Sequence, residues 1–391
     1  MSRPFRVLKY CVVLLSLTSG LTAADAPWIE LGNGVPHFLK TVKTKKKAHV
    51  AFLGGSITQN TTGHTAMVPA WLEEKYPECE FTFTNVGLSS TCSMTGAFRL
   101  KDDVLAKGPV DLLIVEFAVN DDQDAGHDRQ TAIRGLEGIV RHFQEANPEG
   151  DIISVQFVNI PILEKYQNGD VAVSVKAHKD VARHYKIPSV DVGMALAAAT
   201  KAATMDWKKY GGVHPGKEGY RFASDLIISA IENSPEKTVK VEVEPLDWES
   251  FYKGKFLDPQ VASWLGGWKF GSPDKDLLPL GGIRKDYTDY HALRSEEAGT
   301  MLYLPFSGSF LGAFVLAGPD AGILEVSVDN GKWQKVDLYH RFSSGLNYPR
   351  SVILADGLKN SWHQAAIRIS DEKNPESKGN AATILFFEEN H

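Results

Sequence analysis

Apolar runs alternate with amphipathic stretches through the first 233 residues, and this alternation constrains the fold more than any other feature of the sequence. Five runs are typical of buried strands: 49–53, 81–86, 112–117, 152–158 and 187–192. Helical periodicity is found at 65–76, 93–106, 129–146, 171–185, 193–205 and 217–232. Strands that are joined through helices form right-handed βαβ units and therefore a parallel sheet. We expect a three-layer α/β/α domain over residues 28–236, with a ligand site at the carboxyl ends of its strands.

The hydrophobic pattern of the sequence changes near residue 233, after which helical patterns become scarce. Short alternating runs follow at 301–306, 310–316, 323–328, 334–339, 351–354, 365–369 and 382–387. Turn signals such as Asp329-Asn330-Gly331 and Gly318-Pro319-Asp320 separate them. This pattern predicts an antiparallel β-sandwich of jelly-roll type over residues 245–391.

The first 24 residues have the order of a secretory signal peptide. Arg3, Arg6 and Lys9 precede an apolar core at 10–21, and small residues follow it. The core spans about a dozen residues, whereas a membrane helix needs roughly 20. We expect cleavage near residues 24–27 and a secreted or periplasmic protein without an integral membrane segment.

Charge and cysteine content exclude several classes of partner. The chain has 42 Lys and Arg against 48 Asp and Glu, a net charge of -6, so no overall positive field favours nucleic acid. Cys79 and Cys92 are expected to be two free, buried thiols in the mature chain. Neither lies in a CxxC or Cys/His spacing, so no metal site is expected.

Four short motifs lie where the predicted sheet should place a site. They are GGSIT at 54–58, NVG at 85–87, FAVND at 117–121 and GVHP at 212–215. The first three follow strands, and the fourth precedes the last helix. Each motif alone is a weak signal, because serines, glycines and asparagines at such positions are more often turn or capping residues. Because all four motifs are expected at the same rim of the sheet, together they indicate a nucleophile, oxyanion donors and a base.

The four motifs resemble the sequence blocks of the SGNH, or GDSL-type, hydrolase superfamily, over residues 45–233. This resemblance implies a flavodoxin-like fold with Ser56 as the nucleophile and His214 as the general base. It also implies an oxyanion hole formed by the Ser56 backbone N–H, Gly87 and Asn120. The run VEFAVND at 115–121 is similar to the third block of polysaccharide acetylesterases in this superfamily. No metal and no organic cofactor is needed for this chemistry.

The sequence departs from the superfamily pattern at two positions. Gly55 replaces the aspartate of the usual GDS, and Gly211 replaces the aspartate that commonly orients the histidine from three residues before it. Asp206 is a possible substitute orienter of His214, although a helix-end role is the alternative. Glu116 lies on the same strand face as Asn120 but about four residues earlier, so it is expected to be a buried structural carboxylate roughly 13 Å below the rim.

The expected function is that of a secreted serine esterase that removes acetyl groups from a polysaccharide or oligosaccharide. Aromatic residues of the second domain could stack on sugar rings or pack in its core: Trp264, Trp268, Tyr287, Trp333, Tyr339, Tyr348 and Trp362. Two alternatives stay open. The same residues could form a lipase or lysophospholipase-type acyl hydrolase, or the chain could be a glycan-binding protein whose hydrolase domain has lapsed, as Gly211 suggests.

Overall fold

The computed structural model describes residues 26–236, 239 and 243–391, so the predicted signal peptide lies outside the described residues. Within that part of the chain, no helix has both the length and the apolar character needed to cross a bilayer. A six-stranded sheet with helices comes first along the chain, and two antiparallel sheets follow it.

The first sheet is parallel except at one edge. Its strands are β1 (Ile29–Glu30), β2 (Lys47–Gly54), β3 (Glu80–Asn85), β4 (Leu112–Glu116), β5 (Asp151–Gln156) and β6 (Ser189–Asp191). They lie in the order β1-β6-β5-β4-β2-β3, and only β1 pairs antiparallel, with β6. The predicted parallel sheet is confirmed. The two-residue β1 was missed because so short a segment has no periodicity.

Helices cover both faces of this sheet. They are α1 (Pro36–Thr44), α2 (Ser56–Gln59), α3 (His64–Lys75), α4 (Ser93–Asp103), α5 (Arg129–Ala146), α6 (Ile160–Gln167), α7 (Val173–His184), α8 (Val192–Lys201), α9 (Trp207–Tyr210) and α10 (Lys217–Glu232). Side chains alternate along β2, so Val50 and Phe52 join the core under α3 and α10, whereas Ala51 and Leu53 join the core under α4 and α5. The three-layer architecture is thereby confirmed.

The C-terminal region consists of two antiparallel sheets that share one core. Its strands are β7 (Lys255–Leu257), β8 (Ser263–Trp264), β9 (Lys269–Gly271), β10 (Ala292–Ser295), β11 (Met301–Gly308), β12 (Phe310–Ala317), β13 (Ile323–Val328), β14 (Gln334–Asp337), β15 (Tyr348–Ala355), β16 (Ser361–Ile369) and β17 (Ala382–Asn390). One sheet has the order β15-β12-β17-β10-β9 with β7 beside β17, and the other has the order β14-β13-β16-β11-β8. The prediction of antiparallel sheets is confirmed, although the short strands β7–β10 were not foreseen.

The two cysteines of the described chain are unpaired. Cys92 is buried just before α4, as predicted. Cys79 is only half-buried because it precedes β3, which lies at the solvent edge of the sheet. The expectation of two buried thiols is therefore wrong for Cys79.

Aromatic and ionic contacts join the antiparallel sheets to the helical layer. The Phe98 ring on α4 lies 5.3 Å from the Phe251 ring and 5.7 Å from the Phe310 ring, measured between centroids. Arg134 on α5 forms three ion pairs of 2.7–2.9 Å, with Asp247, Glu249 and Asp356. The C-terminal sheets therefore pack against the α4 and α5 side of the first domain.

A buried carboxylate lies in this interface. Glu388 on β17 accepts a hydrogen bond from the Ser351 hydroxyl, and Ser351 also contacts the Thr95 hydroxyl on α4 at 2.7 Å. Burial raises the pKa of Glu388 from 4.5 to about 8, although Ser351 and His127 favour its charged form. Below about pH 4.5 the group is protonated in both folded and unfolded chains. As the pH rises through 8, the stabilisation from the raised pKa is lost.

We predict that Glu388→Gln flattens the pH dependence of stability. The wild-type free energy of unfolding should fall between about pH 5 and about pH 9, because the unfolded state ionises this carboxyl more readily than the folded state. The variant keeps an acceptor for Ser351 and loses the titration. Urea unfolding of both proteins at several pH values measures the difference, and parallel curves would contradict the prediction.

Candidate active site

The site is built on the carboxyl ends of three adjacent strands, β4, β2 and β3. Gly54 ends β2, Asn85 ends β3 and Glu116 ends β4. The chain leaves β2 through Gly55 and immediately begins α2, whose first residue is Ser56. Because the three strands are parallel neighbours, their following loops meet above the same edge of the sheet.

Ser56 and His214 meet at this rim, as the sequence predicted. The distance between Ser56 Oγ and His214 Nε2 is 2.7 Å, although 158 positions separate the two residues in the chain. His214 lies between α9 and α10, and α10 is held to α2 because the Tyr220 hydroxyl donates to the Ile57 carbonyl at 3.0 Å. Ser56 is half-buried and His214 is exposed, so the pair is open to solvent. A hydroxyl bonded to an imidazole is the arrangement of an activated nucleophile and its base.

Asn120 lies directly against the nucleophile turn. It begins a π-helical turn, Asn120–Asp124, and its Nδ2 donates to Asp124 Oδ2 at 2.6 Å. A Cβ atom on Gly55 would stand 2.3 Å from Asn120 Oδ1, so the carboxamide fills the space that the aspartate of GDS would need. Since the Asn120 amide has two hydrogens, one N–H is left to donate to an oxyanion.

The Gly87 amide is already engaged in this structure. It donates to Asn85 Oδ1 at 2.8 Å, and Asn85 Nδ2 donates to the Thr58 carbonyl at 2.8 Å. Asn85 thus ties the second motif to the nucleophile helix, a role that the sequence analysis did not assign. The oxyanion role of Gly87 stays a prediction, and it requires that the amide hydrogen be shared with Asn85 or released.

Neither Asp206 nor position 211 supplies a carboxylate that orients His214. Asp206 is the N-cap of α9, and its carboxylate accepts from the Lys209 amide at 2.7 Å. In the described parts of the chain, no hydrogen bond joins Asp206 or any other group to His214 Nδ1. Gly211 ends α9 with φ +100°, and a Cβ atom there would stand 2.2 Å from the Gly216 nitrogen. The usual aspartate therefore does not fit, and the observed unit is a Ser–His dyad.

Glu116 is not deep below the rim, and this corrects the sequence-based estimate. That estimate assumed an extended chain to Asn120, but β4 ends at Glu116 and residues 118–119 already turn helically. The carboxylate reaches the nucleophile turn: its Oε1 accepts from the Gly55 N–H at 3.1 Å, the Thr58 N–H at 3.2 Å and the Thr58 hydroxyl at 2.6 Å. Burial raises the pKa of Glu116 to about 7, against the opposing effect of these donors.

The C-terminal domain holds the two loops that carry Gly87 and Asn120. The Tyr287 hydroxyl donates to the Ser89 carbonyl at 2.9 Å, and Arg284 donates to the Ser90 hydroxyl at 2.6 Å. His340 Nε2 bonds the carbonyl of Asp124, at the end of the π-helical turn, at 2.9 Å. The second domain is therefore part of the scaffold of the site. Sequence periodicity contains no signal for such contacts.

One group of side chains in the described residues has metal-ligating chemistry. Ligand atoms of Cys92, Asp121 and His127 lie within 4.8 Å of one another. Both Asp121 oxygens are already bonded, to the Ser93 amide and hydroxyl and to His178 Nε2. Burial alone would raise the pKa of Asp121, but His127 and His178 lower it below its usual range. Asp121 is thus held by Ser93 and His178, and His127 Nδ1 lies 3.4 Å from Asp121 Oδ1.

Comparisons with known proteins agree with this geometry. Residues 52–222 match the model of the GDSL-like Lipase/Acylhydrolase family. No curated protein matches the sequence. A two-domain esterase (CEX) active on acetylated mannans, solved with mannopentaose, has 20% sequence identity and a TM-score of 0.74, over 92% of this chain and 96% of that chain. A second structure of a two-domain esterase (CEX) has 20% identity and a TM-score of 0.73, over 93% and 98%. The fold of both domains is therefore shared.

Installing the missing aspartate should not create a triad. We predict that Gly211→Asp lowers both the thermal midpoint and kcat/KM, because the new Cβ collides with the Gly216 backbone. Gly212→Asp is the matched control, since Gly212 has a similar φ of +102° but no heavy atom within 4 Å of its Cβ position. The control should lose only about 1–3 kcal/mol from backbone strain. Thermal unfolding and ester hydrolysis test both variants, and a higher kcat in Gly211→Asp would refute the prediction.

Proposed function

We propose that this carboxylic ester hydrolase, through its GDSL-like domain, is an exported serine esterase that removes acetyl groups from a polysaccharide. The observation that carries the proposal is the 2.7 Å hydrogen bond between Ser56 Oγ and His214 Nε2, beside a buried carboxamide. Its catalytic residues are Ser56 and His214, with the Ser56 N–H, Asn120 and Gly87 as oxyanion donors. Export rests on the signal-peptide pattern of residues 1–24.

The geometry supports two-step acyl transfer. His214 Nε2 accepts the Ser56 proton while Ser56 Oγ attacks the ester carbonyl, and the oxyanion that forms is stabilised by the nearby N–H donors. His214 then protonates the leaving sugar oxygen as its bond to the acetyl carbon breaks, and an acetyl-serine remains. A water molecule that gives one proton to His214 attacks this intermediate, and Ser56 Oγ takes that proton back from His214 as acetic acid leaves. Solvent access to both residues allows the water to enter.

Two observations support a carbohydrate substrate. The two-domain esterase that shares this fold over 92% of the chain acts on acetylated mannans. In addition, several aromatic side chains of the second domain are exposed, among them Trp362 at 78% and Trp333 at 41%, and the Arg368 guanidinium lies 4.4 Å from the Trp333 ring centroid. Exposed aromatic rings provide stacking surfaces for sugars. By contrast, Trp268, Tyr287 and Tyr348 are buried and pack in the structure.

The dyad geometry favours an enzyme over a lapsed hydrolase that only binds glycan. A hydrolase domain that had lost catalysis would have no need to keep Ser56 Oγ within hydrogen-bonding distance of His214, yet that distance is 2.7 Å here. The aspartate missing at position 211 motivated the alternative, but the close Gly211–Gly216 approach explains that glycine by backbone geometry.

Replacing the nucleophile tests the mechanism. We predict that Ser56→Ala lowers kcat for acetate release by about 10⁴-fold or more, because no other hydroxyl of the described residues is bonded to His214. The substrates are acetylated mannan, xylan, pectin and algal polysaccharides, with acetate measured enzymatically. An organophosphonate should label the wild type at Ser56 and leave the variant unlabelled. Turnover retained in the variant would exclude Ser56 as the nucleophile, and a wild type that binds glycan without labelling would favour the lapsed hydrolase.

Acyl chain length separates an acetylesterase from a lipase-type hydrolase. We predict that kcat/KM falls by about tenfold or more from nitrophenyl acetate to nitrophenyl octanoate, because an acetyl site has no pocket for a longer chain. Initial rates with detergent-free substrate below its solubility limit give the ratio. A higher kcat/KM for the octanoyl ester would support the lipase interpretation.

A further inference from the structure

We infer that Glu116 is a positioning residue that holds the Ser56 nucleophile turn in its reactive geometry, an inference that rests on the proposed function. Glu116 ends β4 and is 2% exposed. One of its oxygens, Oε1, accepts three hydrogen bonds from residues on both sides of Ser56. The donors are the Gly55 N–H, the Thr58 N–H and the Thr58 hydroxyl.

These three bonds fix the turn from below. Ser56 lies between the donors in the chain, so the carboxylate restrains the backbone before and after the nucleophile. The three hydrogens converge on the single oxygen Oε1, which accepts them whether or not the other oxygen of the group carries a proton. The hydrogen bonds do not touch Ser56 Oγ, which stays free to contact His214. Glu116 therefore acts through the backbone and does not contact the reacting atoms.

The two glycines before Ser56 belong to the same arrangement. A Cβ atom on Gly54 would stand 2.3 Å from Glu116 Oε1, and one on Gly55 would stand 2.3 Å from Asn120 Oδ1. Side chains at these positions would displace either the carboxylate or the carboxamide. The turn thus has no aspartate of its own, and the neighbouring strand supplies a carboxylate to its amides.

The other contacts of the nucleophile turn do not bind the amides beside Ser56 that Glu116 binds. On its other side, α2 is held by Asn85 through the Thr58 carbonyl and by Tyr220 through the Ile57 carbonyl. Both of these contacts bind carbonyl groups at residues after Ser56. Among the described side chains, only Glu116 accepts hydrogen bonds from the amides that flank the nucleophile. Its loss should therefore change the placement of Ser56 more than the stability of the sheet.

The test compares Glu116→Leu with Glu137→Leu, because leucine removes the acceptor oxygen that glutamine would keep. Glu137 is an equally buried carboxylate with three donors, namely the Tyr185 hydroxyl and the amides of Leu246 and Asp247, but it lies on α5 away from the rim. We expect Glu116→Leu to lower kcat for nitrophenyl acetate about 100-fold with KM changed less than about threefold, since small displacements of reacting groups have effects of this size. Glu137→Leu should lower the thermal midpoint and leave kcat within about threefold. The rate of Ser56 phosphonylation should fall in parallel with kcat in Glu116→Leu.

Thr58→Val is a second variant that keeps Glu116 and removes one donor. It should lower kcat about fivefold and carries the test if Glu116→Leu does not fold. Wild-type kcat and phosphonylation rate in Glu116→Leu, or in Thr58→Val when only that variant folds, would overturn the inference. An equal loss of kcat in Glu137→Leu would also overturn it, because the effect would then be general destabilisation. A wild type without turnover and without labelling would instead refute the proposed function itself.

Discussion

The hydrogen bond between Ser56 and His214 depends on the parallel sheet more than on either residue. The serine follows the second strand, and the histidine precedes the last helix of the domain. They meet because α10 packs beside α3 on the face of the sheet that buries Val50 and Phe52 of β2, and Tyr220 of α10 is bonded to the nucleophile helix. A parallel arrangement brings the ends of β2, β3 and β4 to one edge, so the carboxylate of Glu116 and the carboxamides of Asn85 and Asn120 surround the same turn.

This dependence extends to the second domain. Tyr287 and Arg284 bond the loop after β3, and His340 bonds the end of the turn that begins with Asn120. Phe98 and Arg134 join the same two domains elsewhere, through ring packing and ion pairs. The loops with the predicted oxyanion donors are therefore ordered from both sides.

Much of the fold was predictable because the longer elements bury one face in a regular period. The helix predicted at 129–146 agrees with α5 (Arg129–Ala146), and the strand predicted at 323–328 agrees with β13 (Ile323–Val328). The short elements β1, β8 and α9 were missed since two to four residues are too few to show a period. The helices α1 (Pro36–Thr44) and α6 (Ile160–Gln167) were missed as well. The depth of Glu116 was misjudged because hydrophobic pattern does not show where a strand stops being extended and the chain begins to turn.

The sequence by itself determined the class of both domains and the candidate pair Ser56 and His214, because apolar periodicity and motif order are local properties of the chain. Tertiary structure alone decided what surrounds that pair. It placed Asp206 as a helix cap, engaged the Gly87 amide with Asn85, and brought Glu116 under the nucleophile. These outcomes depend on distances of a few ångströms between residues of different strands and loops. Such distances follow from the packing of the whole sheet, which no local pattern encodes.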